Sequence, residues 1–226
     1  MKEIVTIHQC EHLVWLGLLD KISKADVFVL ADTFDFKKNY FENRNKIRTK
    51  DGWQWLTVPV ERNNHKPINE VGIIYEGNWQ KKYLESIRYN YRNSPYFNKY
   101  YPEIEMCIME KYGQTIYISD LNEILLKLCL KWFNINTPII LSSTLKLNES
   151  LRSSERLLEI CQKVGADTYL SGSSGKDYLD LSLFEKNNIK VVFHEFTHPV
   201  YKQQYEPFIP GMSALDYLFN LGGPIA

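Results

Sequence analysis

Within the first 32 residues an apolar run, a turn, a helix-length amphipathic segment and a second apolar run follow one another, and this limits the fold more than anything else in the chain. Glu3-Ile4-Val5-Thr6-Ile7 reads as a short buried strand ending at His8-Gln9-Cys10-Glu11-His12. Leu13 to Ile22 reads as a helix, and Asp26 to Asp32 as a second strand. In open α/β sheets, ligands bind outside the carboxyl ends of the strands. His8, Gln9 and Asp32 therefore fall where a site is expected.

Strands and helices keep alternating further on. Phe34 to Asp51 is polar and irregular, and a hairpin across Lys50-Asp51-Gly52 leads into a Trp-rich strand, Trp53 to Val60. Pro59 places that strand at an edge or near its end. Pro67 through Ile74 reads as extended. Trp79 to Tyr91 is helical, with Tyr83, Leu84, Ile87 and Tyr91 on one face, and a second helix runs to about Met109. Asp120 with Glu123 reads as a helix start. Thr137 to Ser142 is a strand, Ser153 to Val164 a helix closed by Gly165, Asp167 to Ser171 a strand, Lys190 to Phe196 the last strand, and Ser213 to Asn220 a short helix. The expected fold is α/β: a mainly parallel sheet of five to six strands flanked by helices, with a small hairpin excursion. The expected organisation is a single domain, 1–226, with residues 34–75 as a hairpin and loop insertion.

Lys plus Arg and Asp plus Glu are both 27, so the net charge is zero. No overall electrostatic footprint for duplex nucleic acid or an anionic membrane results. No apolar run reaches the ~18 residues of a spanning helix, and no signal-peptide pattern precedes the first strand. A cytoplasmic location is expected. Cys10, Cys107, Cys129 and Cys161 are scattered, which argues against disulfides and structural zinc. Cys129 and Cys161 sit on apolar helical faces and read as core.

Five places carry chemistry. His8, at a strand end, meets a base's need for access to substrate. His8 and His12 near one helix start would grip a phosphate; this resembles the His-x-x-His start of nucleotidyl-transferring enzymes, with one residue too many. Asn43-Arg44-Asn45-Lys46 offers a bidentate cation between two amides, against the alternative of a solvated loop. Ser171-Gly172-Ser173-Ser174-Gly175-Lys176-Asp177 follows a strand and offers backbone N–H groups and Lys176 to an anion, without the spacing of a Walker loop. Ser174 and Asp177 also fit a plain capping box. His194-Glu195-x-x-His198 has a metalloprotease spacing, but it lies on a strand stopped by Pro199. There the two histidines stand about 13 Å apart, so zinc is rejected. His198 stays a candidate base, with Tyr201 and Gln204 nearby. Ser213 and Asp216 read as a capping box.

Many blocks in order resemble the WbqC-like protein family: Ile7-His8-Gln9; Trp15-Leu16-Gly17 with Asp20-Lys21-Ile22; Asp26 to Val29 with Asp32; Asn43 to Ile47; Gly52 to Val60; Pro67 to Glu70; Gly175 to Leu179; His198 to Tyr201; and Ser213 to Gly222. The first turn departs from the family's pattern, with Cys10 where a proline is usual, Glu11-His12 in place of Asn-Tyr, and Val14 at a second proline position. The resemblance implies a role in O-antigen or surface polysaccharide synthesis, with a suggested glycyl-type acyl transfer to an amino sugar.

The leading expectation is therefore acyl or aminoacyl transfer to the amino group of a nucleotide-linked amino sugar. His8 is the expected base and His198 its alternate. Gln9, Asp32, Asn43, Arg44, Asn45, Ser174, Gly175, Lys176 and Tyr201 are the expected substrate contacts. No tightly bound cofactor or metal is expected. The acyl donor (a carrier-protein thioester, CoA or aminoacyl-tRNA) stays open, as do an acyl carrier protein partner and an oligomeric state. Two alternatives stand beside it: a nucleotidyl-transferring or ATP-dependent activating enzyme using His8 and His12, and a non-catalytic polysaccharide-assembly protein.

Overall fold

The computed structural model describes residues 3–37, 39–61, 65–111 and 117–224. In chain order the regular elements are strand β1 (Ile4–Gln9), helix α1 (Leu16–Ser23), strands β2 (Val27–Ala31), β3 (Arg44–Thr49) and β4 (Gly52–Thr57), and helices α2 (Trp79–Tyr91), α3 (Phe97–Met106) and α4 (Ile118–Trp132). Strand β5 (Ile139–Leu141), helix α5 (Ser153–Lys163), strand β6 (Thr168–Ser171), helix α6 (Leu181–Lys186), strand β7 (Lys190–Phe193) and helix α7 (Ala214–Leu221) complete them. They form two compact units. One comprises Met1–Gln9, Gly17–Thr33 and Ile135–Thr197; the other comprises Cys10–Leu16, Phe34–Asn134 and His198–Ala226.

The first unit is the α/β part. Its five strands are all parallel, in the order β5-β2-β1-β6-β7. Val27-Phe28-Val29-Leu30-Ala31 is buried at every position, as befits a strand covered on both faces. The chain steps outward from β1 to β2 to β5, then returns to lay β6 and β7 on β1's other side. Strand order therefore reverses between β1 and β6, and at such a point the crossovers diverge and leave a crevice at the carboxyl ends. Polar anchors fix the register. The Asp26 carboxylate accepts a bond from the Ile4 amide at 2.8 Å, and Thr6 Oγ1 donates to Leu170 O at 2.8 Å.

The second unit holds the antiparallel hairpin β3–β4, turned by Lys50-Asp51 with Thr49 opposite Gly52. It also holds α2, α3, α4 and α7. Tyr83, Leu84, Ile87 and Tyr91 of α2 are buried on one face, as their spacing predicts. Its aromatic core includes Tyr91 against Phe219 at 5.1 Å between ring centres, and Phe97 stacked on Tyr101 at 4.6 Å.

Several boundaries differ from expectation. Helix α1 begins at Leu16 rather than Leu13, because Leu13 has φ +45° and the His12 amide is drawn to Phe41 O at 2.8 Å. Asn43 to Lys46 is not a loop: Arg44 opens β3, and Asn45 pairs with Leu56. Ile68–Glu70 is a 3-10 turn inside the stretch read as extended. Helix α4 starts at Ile118, whose amide bonds Val71 O, so Asp120 sits in the first turn and Glu123 pairs with Lys127 at 2.6 Å. Ser173–Asp177 is a 3-10 turn with no side-chain cap, and Ser213 likewise caps nothing. Strand β7 ends at Phe193 rather than Phe196.

Candidate functional site

The carboxyl ends of β1, β6 and β7 gather ionisable groups within the first unit. Two come from consecutive residues of α1. Lys21 is buried among Leu18, Leu19 and Ile22, and its Nζ lies 3.2 Å from His8 Nδ1 and 3.3 Å from Ile7 O. Asp20 Oδ2 lies 2.6 Å from His194 Nε2, on the residue directly after β7. The His194 amide donates to Ser171 O at 2.8 Å, which extends the β6–β7 ladder by one residue and fixes where its ring starts. Lys24, just past the end of α1, donates to the same Asp20 oxygen at 2.6 Å. Burial pushes the Asp20 carboxyl up, but the bonds from Lys24 and His194 outweigh it and leave the group below its ordinary value. Asp20 is thus a fixed anion that orients an imidazole.

Gln9 is half-buried beside Ala31. Asp32 is buried after β2. Its Oδ1 accepts from Ser142 Oγ at 2.7 Å and from the Ser143 amide at 2.9 Å, so it staples the ends of β2 and β5 together. After β6 the chain enters the turn Ser173–Asp177. Gly175 is buried there, and its N–H is committed to Gly172 O at 3.0 Å. It therefore adds nothing to an anion cradle. Ser174 and Lys176 are exposed, with Lys176 Nζ 5.5 Å from the centre of the Phe193 ring.

The remaining expected residues belong to the second unit. Asn43 donates to Val58 O at 2.9 Å. Buried Asn45 donates to His12 O and Leu13 O at 3.1 and 2.7 Å, and its carbonyl accepts from the Lys46 amide. Both amides therefore hold backbone. Arg44 stacks over Trp55 at 4.1 Å and donates to Asn39 O. His198 Nδ1 donates to Pro199 O at 2.9 Å, with its ring stacked on Tyr201. The Tyr201 hydroxyl donates to Asp216 Oδ2 at 2.6 Å. Asp216 also accepts from Tyr91 and Gln203, and Arg48 bonds Gln203 Oε1. Asp216 is the hub of this network rather than half of a capping box.

His12 is fully buried and lies ahead of the helix start. Its Nδ1 donates to Asn122 Oδ1 at 2.8 Å, and its Nε2 accepts from the Tyr83 hydroxyl at 2.8 Å. Both ring nitrogens are used, so the phosphate grip expected of His8 with His12 at a helix start does not form. Cys10 is buried, its thiol 3.6 Å from Ser119 O. Cys129 and Cys161 are core, and burial pushes both thiols up to about 12. A cavity of about 410 Å³ between α3 and α4, lined by Met106, Cys107, Ile124 and Leu128 among others, contains none of the expected site residues.

The WbqC-like family model matches residues 9–224, nearly the whole chain. The chain belongs to the WbqC-like protein family. A family relative, the uncharacterized protein Rv1507c of Mycobacterium tuberculosis, is 32% identical over 221 residues, covering 96% of this chain and 94% of that protein. No solved structure matches the present chain. In this WbqC-like chain, Asp20, Lys21 and His194 are the site residues that sequence reasoning left without a role. One signal was present: Lys21 stands between apolar positions of an amphipathic helix, where a lysine needs a partner.

Proposed function

We propose that this WbqC-like chain is an acyl- or aminoacyl-transferase acting on the amino group of a nucleotide-linked amino sugar, in the cytoplasm. One observation carries the reading. Two imidazoles, each held by an α1 side chain, stand at the carboxyl ends of parallel strands beside the point where strand order reverses. Attack of an amine on an acyl carbon needs a proton acceptor and a donor for the developing oxyanion. Paired histidines supply both without a metal or a covalent relay. Lys176 and the Ser173–Ser174 edge of the turn offer an exposed cation and donors to an anionic part of either substrate. The donor remains one of a carrier-protein thioester, CoA or aminoacyl-tRNA.

The test is a reaction of purified protein with a nucleotide-linked 4-amino sugar and each donor class in turn, read by mass spectrometry. The sugar nucleotide should gain the acyl mass with one donor class. An unchanged mass with every class would overturn the proposal.

A further inference from the structure

One face of the β3–β4 hairpin carries a row of aromatic rings interleaved with cations, all within the second unit. Strand alternation turns Asn45, Ile47 and Leu56 to one side, where they are buried. Arg44, Lys46, Trp53 and Trp55 therefore share the other side, on which Trp53 is 43% exposed. Arg44 lies over the Trp55 ring at 4.1 Å, and Lys46 over the Trp53 ring at 4.5 Å. Trp53 and Trp55 stand 5.4 Å apart and nearly perpendicular, at 82°, so neither covers the other's face. The row continues beyond the strands: Trp55 meets Phe41 at 5.8 Å between ring centres, and Phe41 meets exposed Tyr40 at 5.2 Å, with Lys37 over Tyr40. Arg48 has the same strand parity but is buried, its guanidinium bonded to Gln203, Tyr205 and Pro207.

We infer that this face binds a single-stranded polynucleotide. Under the transfer reading above, on which this second step rests, the strand is the 3′ end of an aminoacyl-tRNA donor. Unpaired bases stack on aromatic and guanidinium planes, while phosphodiesters need cations along the strand. Neither β3 nor β4 contains Asp or Glu, so nothing in the two strands opposes a polyanion. A neutral oligosaccharide would use the rings but gain nothing from the cations, and the nearby amides of Asn43 and Asn45 hold backbone rather than face hydroxyls. A mononucleotide needs one ring and one group of cations; ring and cation repeat along this face, as successive nucleotides require. The chain's net charge of zero gives a duplex, whose base faces are hidden, no general attraction.

Fluorescence anisotropy of a labelled single-stranded RNA octamer ending in CCA, titrated with the full chain, reads binding without any transfer. The octamer should bind, and its affinity should fall about twentyfold between 50 and 200 mM salt, as three phosphate contacts require. Trp53→Ala should weaken binding about tenfold, the worth of one stacked base, and Trp53→Phe should restore most of it. Lys46→Gln should weaken binding and reduce the salt slope by about 0.7. Lys163→Gln on α5, which removes the same charge elsewhere, should bind as the native chain does. Ultraviolet crosslinking of the octamer to the unaltered chain, mapped by mass spectrometry, needs no variant to fold and should mark Trp53 or Tyr40. The inference is overturned by no binding, by unchanged binding in both Trp53→Ala and Lys46→Gln, by equal binding of a duplex of the same sequence, or by crosslinks confined to other segments. Preference for CoA, a maltooligosaccharide or phosphatidylglycerol vesicles over the octamer overturns it too. Acyl transfer from CoA with no RNA binding sinks this inference alone. RNA binding with no transfer from any donor class sinks the transfer reading and leaves the surface assigned.

Discussion

The Ser171 hydroxyl fills the space that a side chain at Gly175 would need: a Cβ built on Gly175 would stand 2.2 Å from Ser171 Oγ, and 3.0 Å from Leu179 Cδ1. The turn after β6 thus packs its backbone directly against the strand end, which only glycine permits here. Gly175→Ala should destabilise the protein by about 1–3 kcal/mol, the usual cost of overpacking. Ser171→Ala removes the nearest clashing atom, so the double variant should regain part of that loss. Urea melts of the four proteins in a double-mutant cycle measure the coupling. Simple additivity would contradict the geometry.

Glu42 should make the fold more stable at acid pH than at alkaline pH. Its side chain is buried, and burial pushes its carboxyl up to about 7 from an ordinary 4.5. Between those values the native state holds a proton that the unfolded chain has lost, so stability falls as pH rises toward 7. The contribution is fully present below pH 4.5 and lost above about 7. Glu42→Gln should therefore raise the melting temperature at pH 8, by an amount equivalent to about 1–3 kcal/mol, and change it little at pH 4.5. Equal effects at both pH values would contradict the assignment.

His12 works with the opposite slope. Burial holds its pKa at about 4, below the ordinary 6.5, against the raising effect of its bond to Asn122. The unfolded chain takes up a proton first as pH falls, so stability declines from about pH 6.5 toward 4. His12→Gln should lower stability at pH 7 through its broken bonds to Asn122 and Tyr83, yet flatten that acid slope. Chemical denaturation at pH 7, 6 and 5 separates the two effects.

These buried polar groups mark where sequence reading ran out. The β1–α1–β2 opening, the hairpin at Lys50-Asp51 and helix α2 are legible because each periodicity is set by its own local burial. The pairings of the site are not local. Asp20 meets His194 across 174 positions, and only the return of β7 to the sheet brings them together. Asn45 reads as a substrate contact because its amide suits hydroxyls and amides, yet the loop of His12 and Leu13 folds over it and takes both its hydrogens. Ser213 and Asp216 have capping-box spacing, but the Asp216 carboxylate is drawn away by two tyrosines and Gln203, which lie far from it or follow no pattern.

Asp216 accepts three side-chain bonds while fully buried, so its loss should cost more than the loss of any one donor. Asp216→Ala leaves three donors, two of them buried, without an acceptor and should cost about 3–5 kcal/mol. Tyr201→Phe removes one donor and should cost about 1–2 kcal/mol. Denaturant midpoints of the two variants give the ordering, and an equal or reversed ordering would contradict the hub.

The placement of the site at the strand ends is tested most directly by backbone amide NMR while the nucleotide-linked amino sugar is titrated into the full chain. Shifts should concentrate at Gln9, at Gly172 to Lys176 and at His194, the residues that close β1, β6 and β7. Saturating shifts confined to the opposite, amino-terminal ends of those strands, with the carboxyl-end amides unmoved, would contradict the account.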